Sequence, residues 1–239
     1  MSQPRLLLMS PYSALEWSIR PQLEEWAEVA VFDAPGIGDE PAIGSFDSAA
    51  IGDRAVEEVE RRGWDGCVVC ADEFSIAAAL KFGLRRPDAV QGLALGHACL
   101  SFNPAAEPPA LNAEMRSALR QMSQFDDRTF VRHLTQVTQG HIGEKQADRM
   151  LERFPSGVGQ AYLRDYTTDD GDWIGDAMRE LSKPMLFAEH EGCLVFTKEG
   201  YEAAVSAFPD ATSMICEDKP NTDPAFGEAI REFCGRLAV

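Results

Sequence analysis

The sequence predicts an α/β protein built on a mostly parallel sheet of about six strands flanked by helices. Three observations carry that reading. Residues 67–98, CVVCADEFSIAAALKFGLRRPDAVQGLALGHA, run as an apolar strand, a sharp turn, an amphipathic helix, a proline-marked stop and a second apolar strand, which is a strand–helix–strand unit. The same alternation returns between Lys183 and Leu237. Between the two, from Ala113 to about Trp173, the strand signals vanish and helical spacing takes over, so a helical segment is inserted between strands of one sheet.

Taken in order, Arg5 to Met9 is a short apolar run of buried-strand type, ended by Ser10 and Pro11. Trp17 to Ala27 reads as a helix with Trp17, Leu23 and Trp26 on its apolar side. VAVFDAPGIGDEP follows as a strand running into a glycine-rich loop. A dinucleotide fingerprint would need a helix to start inside that loop, and Asp39, Glu40 and Pro41 stand there instead. Ser48 to Arg62 has the spacing of a surface helix, with Ile51, Ala55, Val56 and Val59 on the inner side. Cys67 to Ala71, Ser75 to Leu84 and Val90 to Leu95 form the central unit. The proline-rich link SFNPAAEPPALN marks a change of layer, after which Met115–Met122, Asp127–Thr138, Lys145–Phe154 and Gly157–Tyr166 read as four short helices. Asp126 or Asp127 caps the second of these. The sheet then resumes with KPMLFAEHEG, a helix over Thr197–Phe208, the strand ATSMICED, and a final helix Pro224–Leu237 whose buried stripe is Phe226, Ile230, Phe233 and Leu237.

Composition narrows the partners. The chain has 239 residues, 45% of them hydrophobic, enough for one sizeable core. A net charge of -17 repels nucleic acid and anionic membranes alike. No run reaches the roughly 18 apolar residues of a spanning helix, and the apolar part of MSQPRLLLMS is too short for a signal peptide, so a cytoplasmic protein, monomeric or homodimeric, is expected. The six cysteines are scattered and read as reduced core thiols; Cys67 and Cys70 should point to opposite faces of their strand. No cofactor motif is present, and no metal site is expected, because strand alternation should send His190 to the face opposite Glu189 and Glu191.

Ala71 and Ser75, two residues either side of Glu73, are small enough to let a strand turn directly into a helix. That is the geometry of a nucleophile elbow. With Pro87, Asp88 and Val90 in register behind it, this stretch resembles the α/β-hydrolase superfamily, in which a GxSxG elbow leads into such a helix, stop and strand. Asp33, Pro35, Gly36 and Gly38 resemble the superfamily's second diagnostic segment, and the closing order of strand, helix, strand and helix ending in IREF is similar too. The resemblance implies a core of residues 1–100 and 179–239 with a helical lid over 101–178. It also implies that Glu73 occupies the nucleophile place; a shift putting Asp72 there would seat Phe74 where a small residue is needed.

Serine hydrolysis requires a nucleophile, a histidine base, an orienting acid and two backbone N–H donors. Position 73 is a glutamate. The superfamily's acid place falls at about Gly192, in AEHEGCLVF, and its histidine place falls at Glu217 or its neighbours in CEDKPNTDP, while no histidine follows His190. The oxyanion loop corresponds to Met9, Ser10 and Pro11, and proline has no N–H to give. These departures point away from ordinary esterase activity.

A carboxylate on the elbow beside His97, which ends the neighbouring strand, would instead suit general acid–base chemistry of lyase, isomerase or cyclase type on an apolar or amphipathic small molecule. Glu73 and His97 are therefore the candidate catalytic pair. Pro11, Tyr12, Phe74, Met115, Met122, Phe125 and Cys193 are the candidate ligand contacts. Two rival readings stand beside this one: a non-catalytic receptor in which Glu73 is a structural plug, and a hydrolase with Glu73 or Asp72 as an unusual nucleophile. His133 and His141, in the presumed lid, are expected at the surface.

Overall fold

The computed structural model describes residues 3–9, 17–33, 40–41, 47–103, 105–122, 124–133, 147–149, 151–152, 173–193 and 195–237, without the side chains at 119, 120 and 122. Its strands are β1 (Arg5–Met9), β2 (Glu28–Val31), β3 (Cys67–Asp72), β4 (Val90–Gly96), β5 (Met185–His190) and β6 (Thr212–Cys216). They form one parallel sheet in the order β2-β1-β3-β4-β5-β6. Parallel neighbours need a crossover, and the helices supply it. These are α1 (Arg20–Glu24), α2 (Ser48–Arg61), α3 (Ser75–Arg85), α4 (Ala113–Met122), α5 (Trp173–Leu181) and α6 (Lys198–Ala207); α7 (Pro224–Leu237) follows β6 and packs back on the sheet.

Helices cover both faces, which is why β3 is buried at every position. Leu7, Met9, Val69, Ala71 and Leu95 point into the layer made by α2, α3, α5 and α6. Leu6, Leu8, Val68, Cys70 and Ala94 point the other way, onto α1 and α7. Cys67 and Cys70 accordingly join opposite cores as free thiols, and burial pushes Cys67 up to about 12. Among the described residues no helix is long and apolar enough to cross a membrane.

Local chemistry sets the element ends. Asp47 accepts from the Ala50 N–H at 2.8 Å and starts α2; Thr197 accepts from the Gly200 N–H at 3.0 Å and starts α6. The first helix is shorter than its expected span of 17–27, because Pro21 has no N–H and fits only the opening turn. In the insertion, α4 contains the expected Met115–Met122 helix, and residues 127–133 are helical, with Asp126 Oδ1 accepting from the Thr129 N–H at 3.0 Å. Helix α5 extends the insertion past Trp173, where the helical spacing was expected to end; its apolar side, with Ile174, Ala177, Met178 and Leu181, is packed on α3. The expected helix 157–166, together with Met150, Phe154 and His141, lies outside the described residues.

The register positions the site. Asp72 pairs with Gly96 and Gly96 with Ala188, so the residues that follow, Glu73, His97 and Glu189, stand side by side at the carboxyl ends of three adjacent strands. In a parallel α/β sheet this carboxyl edge is where ligands bind.

Candidate active site

β3 passes into α3 through two residues, Glu73 and Phe74. The turn is held by Ser75, whose Oγ accepts from the Asp72 N–H at 2.8 Å and donates to the Asp72 carbonyl at 2.7 Å. Ala71 and Ser75 are both buried, as the elbow geometry requires. Glu73 has φ of 51°, a left-handed conformation that a non-glycine residue holds at a cost of about 1–3 kcal/mol and that clusters at functional sites. Its N–H donates to the Gly96 carbonyl at 3.2 Å. Glu73, and not Asp72, therefore stands at the bend.

The Glu73 carboxylate is mostly buried and accepts from Lys219 Nζ at 3.2 Å. Lys219 belongs to the turn after β6, the segment in which the superfamily histidine was sought. Asp223 shapes that turn: its Oδ2 accepts from the N–H groups of Glu217 at 2.8 Å and Asp218 at 3.2 Å, and its Oδ1 from Ala225 at 2.8 Å. Partial burial works against the Lys219 ammonium, but the charge and hydrogen bond of Glu73 outweigh it and raise the lysine above its ordinary range.

His97, with φ of 53°, is fully buried. Its Nδ1 donates to Asp72 Oδ1 at 2.6 Å, while Nε2 lies 2.8 Å from His190 Nδ1 and 3.3 Å from Glu189 Oε1. Burial alone would lower the His97 pKa; the charge and hydrogen bond of Asp72 override it and hold the imidazolium well above the usual histidine range. A charged His97 donates from both nitrogens, so His190 receives at Nδ1 and carries its own proton on Nε2. Burial and the neighbouring His97 charge push His190 the other way, toward the neutral form. Burial raises Glu189, partly offset by His97.

Gly96 makes room for this arrangement: a Cβ there would lie 2.3 Å from Asp72 Oδ1. Among the described residues, Asp72 Oδ2 and Glu189 Oε2 are buried with no hydrogen-bond partner. Cys193, half-buried, accepts from the Phe196 N–H at 3.3 Å through Sγ. One donor atom from each of His97, Glu189, His190 and Cys193 lies within 4.8 Å of the others.

Two sequence expectations need correction. Glu73 and His97 do not hydrogen-bond to each other: His97 is taken by Asp72 and Glu73 by Lys219. Nor do Glu189 and His190 part company. Alternation sets the direction of Cβ, not the reach of a long side chain. The Glu189 side chain folds back so that Oε1 accepts from the His190 N–H at 2.9 Å, and it comes within 3.8 Å of His190 Nδ1.

The other candidates are distributed unevenly. Phe74 is buried against Phe102 and Phe196, with ring centroids 5.6 and 5.7 Å away, and Phe196 stacks on His97 at 5.2 Å. Met115 is partly buried against the same core as Cys193. Phe125 is exposed and touches the exposed His133 edge-on. Met122 ends α4, but its side chain, like Pro11 and Tyr12, lies outside the described residues. A cleft of about 370 Å³ between core and insertion is lined by Leu100, Pro108, Ala110 and Arg179, and by none of the candidate contacts. The sequence reading missed Asp72 as the partner of His97 and Lys219 as the partner of Glu73. The first was recoverable from β3 and β4 being neighbours; for the second, the only signal was a lone cation, Lys219, in the loop CEDKPNTDP where the superfamily histidine would stand.

A parallel sheet in this order, with an elbow after β3 and a helical insertion after β4, is the α/β-hydrolase fold. Solved structures agree. The chain is similar to a thermophilic esterase from Thermogutta terrifontis (TM-score 0.75, 20% identity, covering 100% of this chain and 92% of that one). It is also similar to the esterase RhEst1 from Rhodococcus sp. ECU1013 (TM-score 0.71, 18% identity, 98% and 91% covered). A haloalkane dehalogenase variant, DbeA-M1 from Bradyrhizobium elkanii, aligns at TM-score 0.70 and 13% identity over 99% of this chain and 90% of that one. No protein-family model and no curated protein sequence matches the chain.

Proposed function

We propose that this α/β-hydrolase-fold chain binds an apolar or amphipathic small molecule over the elbow and moves a proton on it without hydrolysis, with Glu73 as the group that takes and returns the proton. The observation that supports this is the place of Glu73: a carboxylate at the strained bend, facing an ammonium group. An esterase needs a hydroxyl and an imidazole in that position, and neither Glu73 nor Lys219 supplies one.

The pair suits a carbon acid next to a carbonyl. Glu73 accepts the C–H proton, the bond electrons pass to the carbonyl oxygen, and Lys219 stabilises the charge that develops there. Returning the proton to a different carbon completes an isomerisation with no co-reactant. The buried His97–Asp72 pair then acts as a positioning element beneath the elbow, because both ring nitrogens of His97 already have partners.

The salt bridge of Glu73 to Lys219 also favours a second reading, a receptor in which the carboxylate is a neutralised plug. Native mass spectrometry of freshly purified protein, followed by comparison with Glu73→Gln, separates the two. Retained binding with lost conversion supports proton transfer, whereas binding with no conversion even in the wild type supports the receptor. Labelling by a fluorophosphonate, or nitrophenyl-ester turnover above a Glu73→Ala control, overturns both.

A further inference from the structure

We propose that His97, Glu189, His190 and Cys193 form a binding site for one divalent ion of the Zn²⁺ class at the carboxyl edge of β4 and β5. This inference goes beyond the acid–base reading of Glu73 and does not depend on it. Tetrahedral zinc with nitrogen and oxygen ligands at 2.0–2.1 Å places those ligand atoms about 3.3 Å from one another. Here His97 Nε2, His190 Nδ1 and Glu189 Oε1 form a triangle with sides of 2.8, 3.3 and 3.8 Å, close to one face of such a tetrahedron. Cys193 offers a fourth donor from the loop after β5, within 4.8 Å of the rest. Its sulfur already accepts a backbone N–H from Phe196 at 3.3 Å, which fixes its place beside the other three.

Two further features point the same way. His97 gives its other nitrogen to Asp72 at 2.6 Å, the carboxylate–histidine arrangement that orients a metal-bound imidazole. Glu189, buried to all but 6%, has an oxygen with no hydrogen-bond partner among the described residues, next to the one that faces both histidines. A set of two nitrogens, one oxygen and one sulfur suits Zn²⁺ or Co²⁺, not Mg²⁺ or Ca²⁺, which take oxygen ligands. Binding requires neutral imidazoles and a thiolate, so the proton between His97 and His190 and the Cys193 thiol proton leave to solvent.

The full chain, stripped with a chelator and dialysed, tests this by titration with Zn²⁺ and, separately, Co²⁺. The expected result is one Zn²⁺ per chain by elemental analysis, a higher melting temperature, and visible Co²⁺ bands with a thiolate charge-transfer band that Cys193→Ser removes. His190→Ala and Cys193→Ser, at partly buried positions, should each weaken Zn²⁺ binding by more than about ten-fold; Asp72→Asn should weaken it by about 10–100-fold through the orientation of His97. Absence of stoichiometric binding in the wild type overturns the proposal. So does an affinity changed less than ten-fold in both single variants, which would assign the metal to the acidic surface.

Discussion

Glu73 Oε1 lies 3.2 Å from Lys219 Nζ although 146 positions separate the two residues in the chain. The contact ties the elbow to the turn after β6, the two segments that carry a nucleophile and its base in a serine hydrolase. In this chain a carboxylate and an ammonium occupy them. The bend therefore carries an ion pair where a serine hydrolase carries a hydroxyl and an imidazole.

Lys219→Met should separate function from stability. The lysine is half-exposed and its partner only mostly buried, so solvent screening limits the loss of unfolding free energy to about 1 kcal/mol or less. On the proposed proton-transfer reading, turnover of the bound small molecule should fall sharply, because the oxyanion that would develop loses its counter-charge. Urea denaturation and turnover measured on one preparation check this; equal loss of both would make the pair structural.

His97→Leu should cost about 3–5 kcal/mol, because it strands the buried Asp72 carboxylate without its cation. Adding Asp72→Asn to that variant should restore a good part of the loss by removing the orphaned charge. Chemical denaturation in chelator reads both steps. Additive losses would mean that the two residues do not act as a pair.

Gly96→Ala should destabilise by about 1–3 kcal/mol, the usual cost of forcing extra volume into a packed site. The added methyl would sit 2.3 Å from Asp72 Oδ1 and 2.9 Å from Pro220 Cβ, so it strikes both the His97 anchor and the loop bearing Lys219. Nitrogen-15 NMR of the histidine rings should show the His97 signals displaced, whereas a silent substitution would leave them in place.

Asp223 sets the acid limit of the closing turn. Burial raises its carboxyl, but three backbone N–H donors outweigh burial and hold it below the ordinary aspartate range. Because the folded value is depressed, its contribution is full above the unfolded pKa of about 3.9 and is lost as pH falls through the lower folded value. Asp223→Ala should cost about 1–2 kcal/mol at neutral pH and should flatten the acid limb of stability against pH. An unchanged acid limb would assign that limb to other carboxylates.

The strand and helix order was legible in the sequence because each element carries its own period. Apolar runs marked the strands, Pro87 marked a boundary, and Ala71, Glu73 and Ser75 marked the elbow, whereas Pro21 lay inside the helix expected over 17–27 and shortens it. Trp173–Leu181 escaped as a separate helix because it continues a helical stretch with no strand signal between. Phe125 read as a ligand contact by residue type alone, and it lies exposed at the surface.

The sequence by itself determined that an acidic residue, Glu73 or Asp72, occupies the bend and that no histidine follows position 190, since both are matters of which residue stands where. Only the tertiary structure decided the partnerships: Asp72 with His97, 25 positions apart; His97 with His190, 93 apart; and Glu73 with Lys219, 146 apart. Periodicity reports which face a residue turns to its own helix or strand. It does not report strand order, register or the path of a side chain beyond Cβ, and these three bring the groups together.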